Sequence, residues 1–203
     1  MIHDALWLAL TIKIVATATL VLGALAAAER AGPFWGALIV ALPVSVGPTY
    51  VILAVDHDTA FIARSALESL AGNAAIGLFL VAYAWIGGRW RVGPTLLVTT
   101  AVWAAGSFLV SRVTWTVATA VLANVVVFGT AALATRRLLH GAVPIGVRAK
   151  RKLETPARAL LVGLLVAAVT TASRAIGPAA TGILAMFPIA SASLAGILHA
   201  RFG

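Results

Sequence analysis

The sequence predicts an all-α fold: a polytopic membrane helical bundle of about 7 transmembrane helices, N-out and C-in, carrying a partial inverted-topology repeat. Three observations lead there. Of the 203 residues, 62% are hydrophobic and 10% charged, with a mean hydropathy of +1.04. Soluble domains carry about 25% charged residues. Apolar stretches of roughly 20 residues, enough to cross a bilayer core at 1.5 Å per residue, recur along the chain. The basic residues, which give a net charge of +9, gather in the gaps between those stretches. This composition excludes a soluble enzyme, a nucleic-acid-binding domain and a disordered chain. Cysteine is absent, which removes disulfides and thiol chemistry.

The expected spans are 5–28, 34–55, 59–86, 92–110, 115–135, 157–173 and 178–200. The first ends in small residues, as a signal peptide does. Its start, MIHD, has no basic residue, so it is expected to stay as a span. The third is long, and its beginning (58–70, DTAFIARSALESL) reads in two ways. It either continues the span or lies in the interface as an amphipathic helix, with Phe61, Ile62, Ala66 and Leu70 apolar and Arg64 and Glu68 charged. The linker 136–158 carries Arg136, Arg137, Arg148, Lys150, Arg151, Lys152 and Arg158, so it is expected to face the cytoplasm. Counting from it puts Arg30, Arg89, Arg91 and Arg201 inside. The Asp56–His57–Asp58 turn, Arg112, Arg174 and the N-terminus fall outside. Trp7, Trp35, Trp85, Trp90 and Trp115 lie near span ends, as headgroup-level rings should, and Trp103 sits mid-span.

Residues 13–53 align without gaps on 158–198. The shared pattern runs Lys13, Gly32, Pro33, Pro43, Ile52, Leu53 in one copy. In the other it runs Arg158, Gly177, Pro178, Pro188, Ile197, Leu198. The copies are five spans apart, an odd number, so the second enters the membrane from the opposite side. Such repeats characterise transporter folds whose substrate sits near the midplane at broken helices. A mid-helix proline removes one backbone hydrogen bond, which must find another partner where no water is available. The chain thus divides into a first repeat unit at 1–113, a linker helix and basic loop at 114–155, and a partial second repeat at 156–203. Because the second copy stops early, a homo-oligomer or other membrane subunits are expected to complete it.

Ionisable groups within spans are the natural functional candidates. Lys13 and Glu68 fall at matching depth, which allows an ion pair; Arg64, four residues before Glu68, is the rival partner. Ser65, Ser69, Gly72 and Asn73 extend the polar stripe. The substrate-binding candidates are Lys13, Pro43, Pro48, Arg64, Glu68, Asn73 and Pro188. His3 and Asp4 can approach Asp56, His57 and Asp58, an oxygen and imidazole set suited to Zn²⁺ or Mn²⁺, although neighbouring loop residues chelate poorly together. A solvated acidic turn is the alternative. Asn124 and Ser107 are expected to form interhelical hydrogen bonds, and the many small residues suit close packing. His140 and His199 sit at helix ends, outside any span, so no haem or other cofactor is expected. There is no H-E-x-x-H, no mid-span histidine to activate a serine, and no nucleotide-binding glycine loop. The chain is therefore not expected to be an enzyme.

Residues 28–70 combine an apolar helix ending in Arg30, a glycine-rich helix start, Pro43, and a charged turn leading to Arg64 and Leu67. In these features the chain resembles the GlpM-type family of small bacterial inner-membrane proteins, over about residues 8–113. The segment SRAIGPAATGILAMFPIAS echoes the family's centre. The resemblance implies a multi-pass inner-membrane location and an envelope role linked to exopolysaccharide production, and carries over no catalytic residue. The leading expectation is a small transporter or permease. A non-catalytic subunit or scaffold of a membrane complex comes second, and a lipid-substrate enzyme third. Substrate charge stays open: Lys13, Arg64 and Arg158 favour an anion, the Asp56–Asp58 turn a cation.

Overall fold

The computed structural model describes residues 2–30, 45–139, 154–189 and 192. Among them lie six helices and no strand: α1 (Ile2–Arg30), α2 (Val46–Asp56), α3 (Thr59–Ile86), α4 (Val92–Val110), α5 (Val117–Leu139) and α6 (Glu154–Ala185). Four of them, α3 to α6, are long and apolar enough to cross a membrane. Of the seven expected spans, the first falls in α1 and the third to fifth in α3, α4 and α5. The second is described only from Ser45 onward. The sixth and seventh share α6. Gly32, Pro33, Pro43, His140, His199, Ile197 and Leu198 lie outside the described residues, as do the side chains of His3, Asp4 and Arg158.

Local chemistry explains the helix boundaries. α2 and α4 open on the same tetrapeptide, Val46-Gly47-Pro48-Thr49 and Val92-Gly93-Pro94-Thr95. A proline in the first turn costs nothing, because the N–H it lacks has no intrahelical partner there. Asp58 caps α3, its carboxylate accepting from the Phe61 N–H at 2.8 Å. Such a cap stabilises a helix by about 0.5–2 kcal/mol. Thr116 and Thr119 cap α5 reciprocally, each backbone N–H donating to the other's hydroxyl at 2.9 and 3.2 Å. Beyond α3, Arg89 donates to the Trp85 carbonyl at 2.8 Å, placing a cation at the negative helix end.

α3 is one unbroken 28-residue rod. The alternative in which 58–70 forms a separate interfacial helix is corrected by that continuity. Its cause is the Asp58 cap above and the burial of Ser65, Glu68 and Ser69 against α6 below. α6 is broken instead. Gly177 takes φ 75° and ψ 173°, and Pro178 starts a second arm. The chain reverses there, since Ile189 packs on a cluster containing Val21, Ala159, Val162 and Val166. The hairpin expected around Gly177 is therefore present, with one glycine as its turn.

α3 is the hub, flanked by α2, α4, α5 and α6, while α1 packs on α2 and the first arm of α6. A second apolar cluster joins Ala75 and Phe79 of α3 to Trp103 of α4 and Phe187 beyond α6. The Trp103 and Phe187 rings meet edge to face, centroids 5.0 Å apart. α5 is the least buried of the four long spans: 6% of it is buried, and Leu122, Val125 and Leu133 are each more than 60% exposed.

The second arm of α6 approaches α3 so closely that a Cβ on Gly182 would strike the Ser65 carbonyl oxygen and lie 3.0 Å from the Glu68 Cβ. Gly182→Ala is expected to lower stability by about 1–3 kcal/mol. Gly177→Ala, at a backbone conformation open essentially to glycine alone, should cost about 1–3 kcal/mol as well. Gly23→Ala, where a Cβ meets nothing within 4 Å, should gain about 0.5–1 kcal/mol. Thermal unfolding of the three variants in one detergent checks the order.

Candidate functional site

The site is built where helices stop partway. α3 serves as a ruler: at 1.5 Å per residue it spans about 42 Å, with Gly72 near its middle. A Cβ on Gly72 would touch Ile183 and Met186, so the second arm of α6 ends opposite the centre of α3. Pro188 has no N–H for the Leu184 carbonyl, and Phe187 N–H bonds that carbonyl instead at 3.0 Å. Ile189 N–H turns to Phe187 O at 2.7 Å, which leaves the Ala185 carbonyl without its usual partner four residues on. The Ser45 hydroxyl takes it, donating at 3.1 Å across 140 residues of chain. Ser45 is also the residue from which α2 starts. One half-length helix thus begins, and another ends, at the same depth and against each other.

A second link holds the three elements together. Ser69 has a single hydroxyl proton and donates it to the Gly182 carbonyl at 2.6 Å. The Tyr50 hydroxyl, 2.8 Å from Ser69 Oγ, must therefore be the donor of that pair. The relay runs from α2 through α3 to α6, entirely within the wall those helices form.

Glu68 immediately precedes Ser69 on α3 and is 2% exposed. Arg64 Nε donates to its Oε1 at 3.0 Å and Nη2 pairs with the same oxygen at 3.0 Å, while Arg64 remains 53% exposed itself. The buried carboxylate is thus held by a guanidinium that reaches in from the surface. The expected Lys13–Glu68 pair does not form. Glu68 faces Gly182 on α6, nine residues along α3 from Thr59. Lys13 instead meets Asp56, Nζ to Oδ2 at 3.2 Å.

Asp56, His57 and Asp58 diverge, so these three do not converge as the metal set requires, and the side chains of His3 and Asp4 lie outside the described residues. Asp56 turns to α1, and Asp58 caps its own helix. His57 reaches α6, with Nε2 2.7 Å from Ser173 Oγ. Ser173 donates to the Thr170 carbonyl at 2.7 Å, so the imidazole Nε2–H is the donor to Ser173. The His57 ring also stacks on Phe61, centroids 3.7 Å apart. Among the described residues no three His, Asp or Glu side chains converge on a point.

Asn73 is likewise not part of the wall. It sits about 140° around α3 from Glu68 and donates to Asn124 Oδ1 on α5 at 2.8 Å. Asn124 donates in turn to Leu70 O at 2.7 Å, the interhelical role expected of it. Ser107 is buried without a partner among the described residues, so the bond expected of it is absent there. Pro48 is buried in the first turn of α2 and breaks nothing. Pro188 does mark a break, as described.

The Lys13–Asp56 pair separates two cavities. An apolar one of about 300 Å³ lies between α1 and α2, lined by Ile12, Ala16, Val51, Ile52 and Val55. The other, about 230 Å³, is polar: Leu10, Lys13, Asp56, Thr170, Thr171, Ser173 and Arg174 line it. Arg174 closes its rim, Nη2 lying 3.3 Å from the Asp56 carbonyl oxygen. Sequence reasoning placed Arg174 in an outer loop and overlooked Ser45, Tyr50 and Ser173. The signal available was position: Ser45 follows Pro43 by two residues, and Ser173-Arg174 precedes the Gly177-Pro178 break.

Compared with family models, curated proteins and solved structures, the chain matches none of them.

Removing the Asn73–Asn124 bond should show the modest coupling typical of interhelical bonds in lipid. A double-mutant cycle with Asn73→Ala and Asn124→Ala is expected to give about 0.6–1.7 kcal/mol, read from unfolding midpoints.

Proposed function

We propose that the protein is a small membrane permease, moving a small solute or ion along the wall formed by α2, α3 and α6. One observation carries this reading. Two half-length helices run in opposite directions and meet at the centre of α3, sealed by the Ser45–Ala185 bond. Broken helices at mid-depth are the usual seat of substrate in transporters, since they bring irregular backbone to a place where only protein or a lined cavity can satisfy it. The Lys13–Gly32–Pro33–Pro43 and Arg158–Gly177–Pro178–Pro188 pattern supports reading the two hairpins as inverted copies. The first arm of α6 runs antiparallel to α1, with Gly163 against Ile14 and Ala159 beside Val21.

In this reading Glu68 is the gate. Its buried carboxylate is held by the surface guanidinium of Arg64, and its Cβ packs beside Gly182 of the broken helix. The Asp56–His57–Asp58 turn faces the outer side, and the basic loop 136–158 the cytoplasm, giving an N-out, C-in, multi-pass inner-membrane protein. In this reading the chain works as a homo-oligomer or beside other membrane subunits.

The bare face of α5 favours a second reading, a non-catalytic subunit of an envelope or exopolysaccharide-related complex that docks there. The GlpM-type resemblance points the same way. Uptake by proteoliposomes separates the two. Tested with labelled phosphate, acetate, potassium and manganese, the permease should carry at least one. Glu68→Gln should lower that uptake by at least about tenfold while leaving the unfolding midpoint near that of the parent. Unchanged uptake in a folded Glu68→Gln variant would remove the gate.

A further inference from the structure

We propose that the polar cavity at the outer end of α1, α2 and α6 is an oxyanion site in which Asp56 acts as a tethered counter-ion that the arriving anion displaces. The ligand group is a phosphate or carboxylate, free in solution or borne on a lipid headgroup. The proposal deepens the permease reading and rests on it for the consequence in transport.

Two cations face this cavity, Lys13 and Arg174, and one carboxylate, Asp56. The surplus is positive. Lys13 is 18% exposed and lies in the body of α1, where an ammonium is costly unless it is neutralised. Among the described residues its partner is Asp56 Oδ2, one acceptor for a group with three donors. Arg174 contributes even less to the Asp56 carboxylate. Among the described residues its bond goes to the Asp56 backbone carbonyl, at a long 3.3 Å, and the remaining guanidinium donors are uncommitted to Asp56. A guanidinium fork is shaped for a planar carboxylate or a phosphate edge.

The Asp56 carboxylate is 35% exposed and sits at the last residue of α2. An oxyanion bound between Lys13 and Arg174 would take the Lys13 ammonium from Asp56, and Asp56 would turn toward solvent. The cavity, about 230 Å³, holds a small anion with several waters, given about 30 Å³ per water. Hydroxyls of Thr170, Thr171 and Ser173 supply neutral contacts on the α6 side. Because α2 starts at Ser45, releasing Asp56 frees the outer end of a helix whose inner end is bonded to the break at Ala185.

Calorimetric titration of inorganic phosphate and of acetate into the 203-residue protein tests this, in phosphatidylcholine nanodiscs with ionic strength held by chloride. Saturable binding is expected. Lys13→Gln and Arg174→Gln should each weaken it at least about tenfold, and Asp56→Asn, which removes the internal competitor, should strengthen it about tenfold. A gain of affinity cannot come from misfolding, so Asp56→Asn guards the test. If neither free anion binds, phosphatidylglycerol nanodiscs provide the headgroup arm. There the unfolding midpoint should rise more for Asp56→Asn than for the parent, and least for Lys13→Gln. Absence of both signals in Asp56→Asn, or an equal response in all variants, overturns the site. Labelled-phosphate flux separates the two proposals. Binding without any solute flux removes the permease and leaves the site. Flux that Lys13→Gln and Arg174→Gln leave unchanged removes the site and leaves the permease.

Discussion

A backbone carbonyl in an apolar medium must be hydrogen-bonded, and the rest of the structure depends on how one carbonyl meets that demand. Pro188 prevents α6 from continuing, and the N–H groups on either side of it, of Phe187 and Ile189, turn inward to Leu184 and Phe187. The Ala185 oxygen is left to Ser45. An unmet group there would cost several kcal/mol, roughly the margin on which a membrane domain's specificity rests. The bond locates the start of α2. Eleven residues of helix then carry the chain to Asp56, beside Lys13 and Arg174. The position of the charged cavity is therefore a consequence of where a proline stops a helix on the other side of the wall.

Polar groups inside the bundle divide into closed and open sets. The Tyr50–Ser69–Gly182 relay and the Asn73–Asn124 pair spend their donors on neighbouring helices and hold α3 to α2, α6 and α5. They need nothing from outside. Lys13, Asp56, Arg174 and Arg64 are different, because each is partly exposed and keeps donors or acceptors beyond the bonds made among the described residues. Surface-accessible ion pairs of this kind contribute little to stability. Their placement at cavities and beside a helix break is what gives them a use.

Much of this was legible in the residues. Apolar length alone located α3, α4 and α5, and the Gly177-Pro178 dipeptide marked the reversal in α6. Pro188 marked its stop. Asn124 announced an interhelical bond because a lone amide in an apolar helix has few other fates. The errors have a common cause. Counting 1.5 Å per residue gives depth but not direction around the axis. Lys13 and Glu68 therefore looked like partners, and Asn73 looked like a member of the Glu68 stripe. Asp56, His57 and Asp58 looked like ligands because they are adjacent in sequence, whereas a helix end and a helix start send successive side chains apart. Ser45 and Arg174 drew no attention because neither is unusual by type. Their roles arise only when segments more than 100 residues apart meet.

That separation bears on how the protein comes to exist. Ser45 leaves the ribosome long before Ala185, and Tyr50 and Ser69 long before Gly182. Through most of synthesis the inner tip of α2 has no Ala185 to bond, and the wall it belongs to has no third side. The polar seam at the heart of the bundle closes only as the hairpin around Gly177 inserts, so that hairpin acts as the keystone of the helices laid down before it.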